Sequence, residues 1–181
     1  MKKVVKFGGS SLANAEQFKK VGSIIHEDDS RLYVVPSAPG KRCPDDTKVT
    51  DMLYACYETA VRGEDFSGQL KEIHQRYQEI IDGLNLDFSL DSEFEDIAEN
   101  FRAGSGRDYA ASRGEFLNGK IMAAYLGYEF VDAAKAVRFN DDGTFNDEVT
   151  NRLLGECLKE KENAVIPGFY GAKPDGTIQT F

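Results

Sequence analysis

An α/β fold, three layers deep, with a mostly parallel central sheet, helices on both faces and a helical insertion in its middle, is predicted by three features of the chain. Short β-branched runs alternate with stretches of helical apolar spacing, the order that parallel strands joined by crossover helices require. The first such run leads directly into Gly8-Gly9-Ser10-Ser11 and then into a helix pattern, the form of a tight strand-to-helix turn. From about Val49 to Leu126 the spacing is helical rather than alternating, which places an insertion between the second and third strands. At 181 residues the chain is long enough for one domain with a sizeable core.

The first strand covers Lys3 to Phe7 and is built on Val4-Val5. Phe18, Val21, Ile24 and Ile25 then recur at helical spacing, so a helix spans Ala15 to Glu27. A second strand follows at Arg31 to Val35. The segment from Ser37 to Lys48 holds Pro39, Gly40, Lys41, Arg42 and Pro44; it is polar and punctuated enough to predict a mobile loop. Leu70, Ile73, Tyr77, Ile80 and Ile81 form one apolar stripe, and Phe94, Ile97, Ala98 and Phe101 form another. Ala110, Phe116, Leu117, Ile121 and Ala124 mark a buried helix. Strand three lies at Glu129 to Val131, a helix follows Asn146, and strand four is Ala164 to Ile166. Lys173-Pro174-Asp175-Gly176 reads as a turn, and Thr177 to Phe181 as a last strand. There is no internal repeat and no low-complexity tract.

Composition excludes several function classes. A net charge of −9 argues against a nucleic-acid footprint or an anionic-membrane patch. No apolar run approaches the roughly 20 residues that cross a bilayer, and Met1-Lys2-Lys3 precedes too short an apolar stretch for a signal peptide. A cytoplasmic protein without nucleic-acid or membrane partners is expected. Cys43, Cys56 and Cys157 are odd in number and lack metal-like spacing, which predicts reduced thiols and no metal site on the chain. His26 and His74 fall on polar helix faces and are expected to be solvated.

The chemistry concentrates at the first turn. Two adjacent glycines at a strand end let backbone N–H groups converge on one point, and the helix beyond favours an anion. Lys6 at the strand's end can set its ammonium on that same anion, the arrangement that phosphoryl transfer uses. An ordinary tight turn with a solvated lysine would read the same way. Gly114 to Lys120 spells most of a Walker loop, but Ile121 stands where the magnesium-binding hydroxyl belongs and no strand precedes Gly114. Glu115 is instead a charge set in an apolar helix, and such a carboxylate needs a partner: a ligand ammonium, Arg113 or Lys120. Ser37 reads as a turn hydroxyl, and Thr50 as an N-cap with Asp51 in the first turn.

Four blocks carry a family resemblance. Lys6-Phe7-Gly8-Gly9-Ser10-Ser11 resembles the opening motif of the amino-acid kinase family, in the form most similar to its aspartate kinases. Val34-Val35-Pro36-Ser37-Ala38-Pro39-Gly40 followed by Thr50-Asp51-Met52-Leu53, then Ser112-Arg113-Gly114-Glu115-Phe116-Leu117, and finally Val165-Ile166-Pro167-Gly168-Phe169-Tyr170-Gly171 resemble further family elements in the same order. The resemblance implies ATP-dependent phosphorylation of the L-aspartate side chain, with Mg²⁺ carried by the nucleotide. It implies Lys6 as the catalytic cation, Lys6, Gly8, Gly9 and Ser10 as the phosphate-binding residues, the last three through backbone N–H donors, and Ser37, Ala38, Thr50, Glu115, Gly168 and Phe169 around the amino acid. A carboxylate acceptor is already ionised at neutral pH, so the scarcity of histidine suits a reaction run by positioning and charge. Residues 1–181 correspond to the amino-acid-binding part of the kinase domain. The nucleotide-binding part and regulatory ACT domains are expected beyond Phe181 in a homo-oligomeric full-length enzyme, and this stretch alone is expected to be inactive. A glutamate-type or nucleotide kinase, or a binding module without activity, are the alternatives.

Overall fold

The computed structural model describes residues 1–181. Four strands, β1 (Lys3–Phe7), β2 (Arg31–Pro36), β3 (Glu129–Phe130) and β4 (Ala164–Val165), form one parallel sheet in the order β1-β2-β4-β3. Because every strand runs the same way, the residues that follow β1, β2 and β4 meet at one carboxyl edge, where open α/β sheets hold ligands. A separate antiparallel hairpin, β5 (Tyr170–Ala172) with β6 (Ile178–Thr180), turns at Lys173–Gly176. The final strand therefore pairs locally and does not extend the main sheet.

The helices are α1 (Ala15–His26), α2 (Val49–Val61), α3 (Ser67–Gly83), α4 (Asp91–Arg102), α5 (Arg107–Leu126), α6 (Ala133–Ala136) and α7 (Asp147–Leu158). Three of them start where a side-chain oxygen caps the backbone: Asn14 accepts from the Gln17 N–H, Asp132 from the Ala134 N–H and Asn146 from the Val149 N–H, each at 3.0 Å. Strand alternation divides the core between two faces. Val34 and Val165 belong to the main cluster under α1 to α5, whereas Ala164 and Ile166 join Val131 and Ala136 in a smaller cluster beside Tyr33 and α7.

Helix α5 is buried on nearly every side, so it carries no solvent face. Glycines let it lie against the strand ends: a Cβ at Gly114 would stand 2.8 Å from the Ala38 Cβ, and one at Gly119 would stand 2.7 Å from the Pro167 Cγ. Ala124 is nevertheless exposed, one step off the buried surface.

The loop after β2 departs from the mobility its composition predicts. The Arg76 guanidinium, 5 % exposed, donates to the Gly40 carbonyl at 3.0 Å and pairs with Asp46, while Arg42 bonds Asp46 and Glu79. Charged side chains that read as solvent-seeking are spent on tying this loop down.

Candidate active site

At the end of β1 the chain enters a short 3-10 turn, Gly9–Leu12, that precedes α1. A Cβ at Gly9 would meet the Ala38 carbonyl oxygen at 2.7 Å, and one at Gly40 would meet the Gly9 carbonyl carbon at 2.7 Å. The two loops touch backbone to backbone, closed by Gly40 N–H donating to the Gly9 carbonyl at 2.9 Å and Ser37 N–H donating to the Phe7 carbonyl at 3.0 Å. Gly8 differs from Gly9. Its φ of −78° suits any residue, a Cβ there would meet nothing within 4 Å, and its N–H donates to no protein acceptor. Gly8 thus leaves its N–H open, whereas the Ser10 nitrogen lies against Gly40, 2.9 Å from where a Cβ there would stand. Lys6 is exposed and, by strand alternation, stands on the face opposite Phe7, with no ion-pair partner in the protein.

Glu115 faces this contact from α5. It is 8 % exposed; Oε1 accepts from the Ala38 N–H at 3.2 Å, and Oε2 is buried without a hydrogen-bond partner. Burial pushes its carboxyl up from 4.5 to about 7, opposed by the Ala38 N–H, its own backbone N–H and the charge of Lys6. Neither neighbouring cation serves as its partner. Arg113 bonds the Ser112 Oγ at 3.0 and 3.1 Å and sits over the rings of Tyr109, Phe116 and Tyr170, whereas Lys120 pairs with Glu93. A buried carboxylate oxygen left open in this way costs stability and favours a donor that arrives with a ligand.

Ser37, Ala38 and Thr50 lie beside the same contact. The Ser37 carbonyl accepts from Asn118 Nδ2 at 2.7 Å, and Thr50 Oγ1 would lie 3.6 Å from a Cβ at Gly114. Thr50 is not an N-cap: α2 begins at Val49 after Lys48, so Thr50 lies inside the first turn. Gly168 and Phe169 follow β4 at the same edge. The Gly168 N–H donates to no protein acceptor, and Phe169, 39 % exposed, holds φ at +74°, a strained value for an aromatic residue. The residues that the resemblance assigns to the site therefore lie at the carboxyl edge of β1, β2 and β4 or in the elements packed against it.

Two polar residues beside the site carry no sequence signal. Asn118 is fully buried one turn beyond Glu115, and its Oδ1, like Glu115 Oε2, has no partner. Arg76 lies under the loop. A groove of about 810 Å³ lies elsewhere, between the α2–α3 turn and α4. It is lined by charged residues around Phe66, Leu70 and Phe94 and contains none of the site residues, so the convergence of buried polar atoms at the sheet edge outweighs its size. His74 borders that groove, stacked on Phe94 at 4.3 Å rather than solvated. No group of three or more His, Cys, Asp or Glu side chains is placed to hold a metal ion, and no helix is long and apolar enough to cross a membrane.

Comparison with known proteins agrees with this geometry. The model of the amino acid kinase family matches residues 1–180. Aspartokinase 3 of Bacillus subtilis is 37 % identical over 194 residues, covering 99 % of this chain and 42 % of its own length. The crystal structure of the Clostridium acetobutylicum aspartate kinase superposes with a TM-score of 0.96 at 47 % identity, over 100 % of this chain and 42 % of that one. Aspartokinase III of E. coli, crystallised with aspartate and ADP, shares the fold at a TM-score of 0.81 and 24 % identity, over 99 % of this chain and 43 % of that one. The chain thus spans less than half the length of these relatives. With the family's match running through the glycine turn, the Ser-Ala loop and the Glu115 helix alike, the chain belongs to the amino acid kinase family.

Proposed function

We propose that residues 1–181 form the amino-acid-binding part of an aspartate kinase, which transfers the γ-phosphoryl group of ATP to the side-chain carboxylate of L-aspartate and yields ADP and 4-phospho-L-aspartate. The observation that carries this reading is Glu115: a buried carboxylate with one oxygen held by Ala38 and the other open, on the sheet edge that also bears Lys6 and the glycine turn. An α-ammonium supplies the donors that Glu115 Oε2 lacks. The similarity to aspartate kinases of Bacillus and Clostridium supports aspartate as the acceptor.

In this reading the amides of Gly8, Gly9 and Ser10 receive phosphate oxygens, and Lys6 neutralises the charge that spreads over the transferring group. Ser37, Ala38 and Thr50 orient the amino acid, with Gly168 N–H and Phe169 on its other side. The acceptor carboxylate is ionised already, so no general base is required; alignment and charge compensation supply the rate. Mg²⁺ carried by the nucleotide would supply further charge compensation at the phosphates, and the roles of Lys6 and the turn amides stand beside it. A nucleotide-binding part and ACT domains complete the full-length enzyme, which is read as homo-oligomeric and cytoplasmic; the greater length of the relatives supports only the further chain.

The test is acyl-phosphate formation by the full-length protein that carries this chain, trapped with hydroxylamine in the presence of ATP. L-Aspartate should react and succinate, which lacks the amine, should not. Equal use of succinate, or no product from aspartate, would overturn the assignment.

A further inference from the structure

We propose that Arg76 and Tyr77, neighbours on α3, are positioning residues that lock the acceptor loop, the phosphate turn and the Glu115 helix into one frame; the role rests on the aspartate-kinase reading above. Neither residue is placed to touch a substrate. Each instead holds a backbone carbonyl of an element that does.

Arg76 works on the loop. Its guanidinium donates to the Gly40 carbonyl at 3.0 Å and the Thr47 carbonyl at 3.2 Å, and pairs with Asp46 Oδ2 at 3.1 Å. A planar fork with five donors can span three acceptors at once, whereas an ammonium on a flexible stem cannot hold the same geometry. The grip on Gly40 passes straight to the phosphate turn, because Gly40 N–H bonds the Gly9 carbonyl and the two backbones are in contact. It also passes to Thr50, because the Pro39 carbonyl accepts from the Val49 N–H at 3.2 Å at the start of α2. The loop residues Ser37 and Ala38, one of which bonds Glu115, lie just upstream of the same clamp.

Tyr77 works on the helix. It is fully buried, and its hydroxyl donates to the Gly114 carbonyl at 2.8 Å, one residue before Glu115. A Cβ at Gly114 would stand 2.8 Å from the Ala38 Cβ, so α5 packs directly against the loop at this point. One turn of α3 therefore fixes, through carbonyl oxygens, the spacing between Glu115 and the Ser37–Gly40 strap. Arg76 is desolvated and repelled by Arg42, while Asp46 and Glu79 offset this, so the cluster has its counter-charges inside the protein and is not short of an anionic ligand.

The experiment compares Arg76→Lys, Arg76→Met and Tyr77→Phe with wild type in the full-length enzyme, by steady-state kinetics and by amide hydrogen exchange over residues 38–50. A misplaced acceptor should raise the aspartate KM about tenfold in Arg76→Met with the ATP KM within about twofold, on the scale by which small displacements cost enzymes rate. Arg76→Lys should recover only part of this, because it keeps the charge and loses the fork. Exchange should quicken in the loop while β1 and α1 remain protected. An unmoved aspartate KM, or equal deterioration of both KM values together with global loss of protection, would show that the cluster serves stability alone. If Arg76→Met does not fold, Tyr77→Phe carries the test: it removes only the bond to the Gly114 carbonyl and should raise the aspartate KM about threefold, and no rise overturns the proposal. Wild-type turnover in the same assay separates the two ideas. Without aspartate-dependent turnover in wild type the assigned reaction fails; with it, and with unmoved variants, only the clamp fails.

Discussion

Burial raises the Glu115 carboxyl to about 7, so the folded chain holds that proton more tightly than the unfolded chain does. The group's contribution to stability is fully present below about pH 4.5 and is lost as pH rises through about 7, a difference on the order of 3 kcal/mol. Without ligand, wild type should therefore lose thermal stability relative to Glu115→Gln between pH 5 and pH 8; a constant gap across that range would show that Glu115 is not the titrating group. A ligand ammonium reverses the preference, because it binds the ionised form. The aspartate KM should accordingly climb as pH falls below 7, by about tenfold per pH unit as one proton must leave. The role proposed for Lys6 makes a complementary prediction. Lys6→Met in the full-length enzyme should cut turnover by a factor equivalent to about 3 kcal/mol, the scale of a lost electrostatic contact, with unchanged thermal stability because the side chain is exposed. Glu115 was legible in the sequence as a charge in an apolar helix. Asn118 and Arg76 were not, because polar residues on a helix mostly face water and only the approach of the Ser37–Thr47 segment buries these two.

Between the elements, the contact that matters most is Gly9 against Gly40. Gly9→Ala or Gly40→Ala would force a methyl into backbone at 2.7 Å and should cost roughly 1–3 kcal/mol by overpacking, spreading the phosphate turn from the acceptor loop. Gly8→Ala is the matched control on the same turn: with open space and an ordinary φ it should leave stability unchanged or raise it by up to about 1 kcal/mol, while slowing turnover where a phosphate approaches. Melting curves and turnover of these variants check the distinction; equal destabilisation by all three would contradict it. The strand-turn-helix character of this region was readable from Val4-Val5 and the paired glycines. The division of labour between Gly8 and Gly9 was not, since it depends on Gly40 arriving from another loop. The same loop shows why its mobility was misjudged: Pro39, Gly40 and the charges of Lys41 to Asp46 have a solvent-loop composition, and the cation that fixes them lies far along the chain on α3.

At the scale of the molecule, a parallel sheet gathers four separate sequence blocks at one edge, and this is why their order along the chain was informative before any coordinates. Period-2 and period-3.6 patterns carried most of the architecture, including the buried course of α5. They could not reveal that β5 and β6 form their own hairpin, because pairing partners are set by register and not by local pattern. The account's central claim is that the Glu115 carboxylate is the seat of the substrate ammonium rather than a structural group. Its most direct test is the specificity constant for aspartate in the full-length enzyme, wild type against Glu115→Gln, measured beside a nucleotide-binding isotherm. Aspartate use should fall by the equivalent of about 2–5 kcal/mol, the cost of breaking a buried charge pair, with nucleotide affinity nearly unchanged. Undiminished aspartate use, or loss of both ligands together, would contradict it.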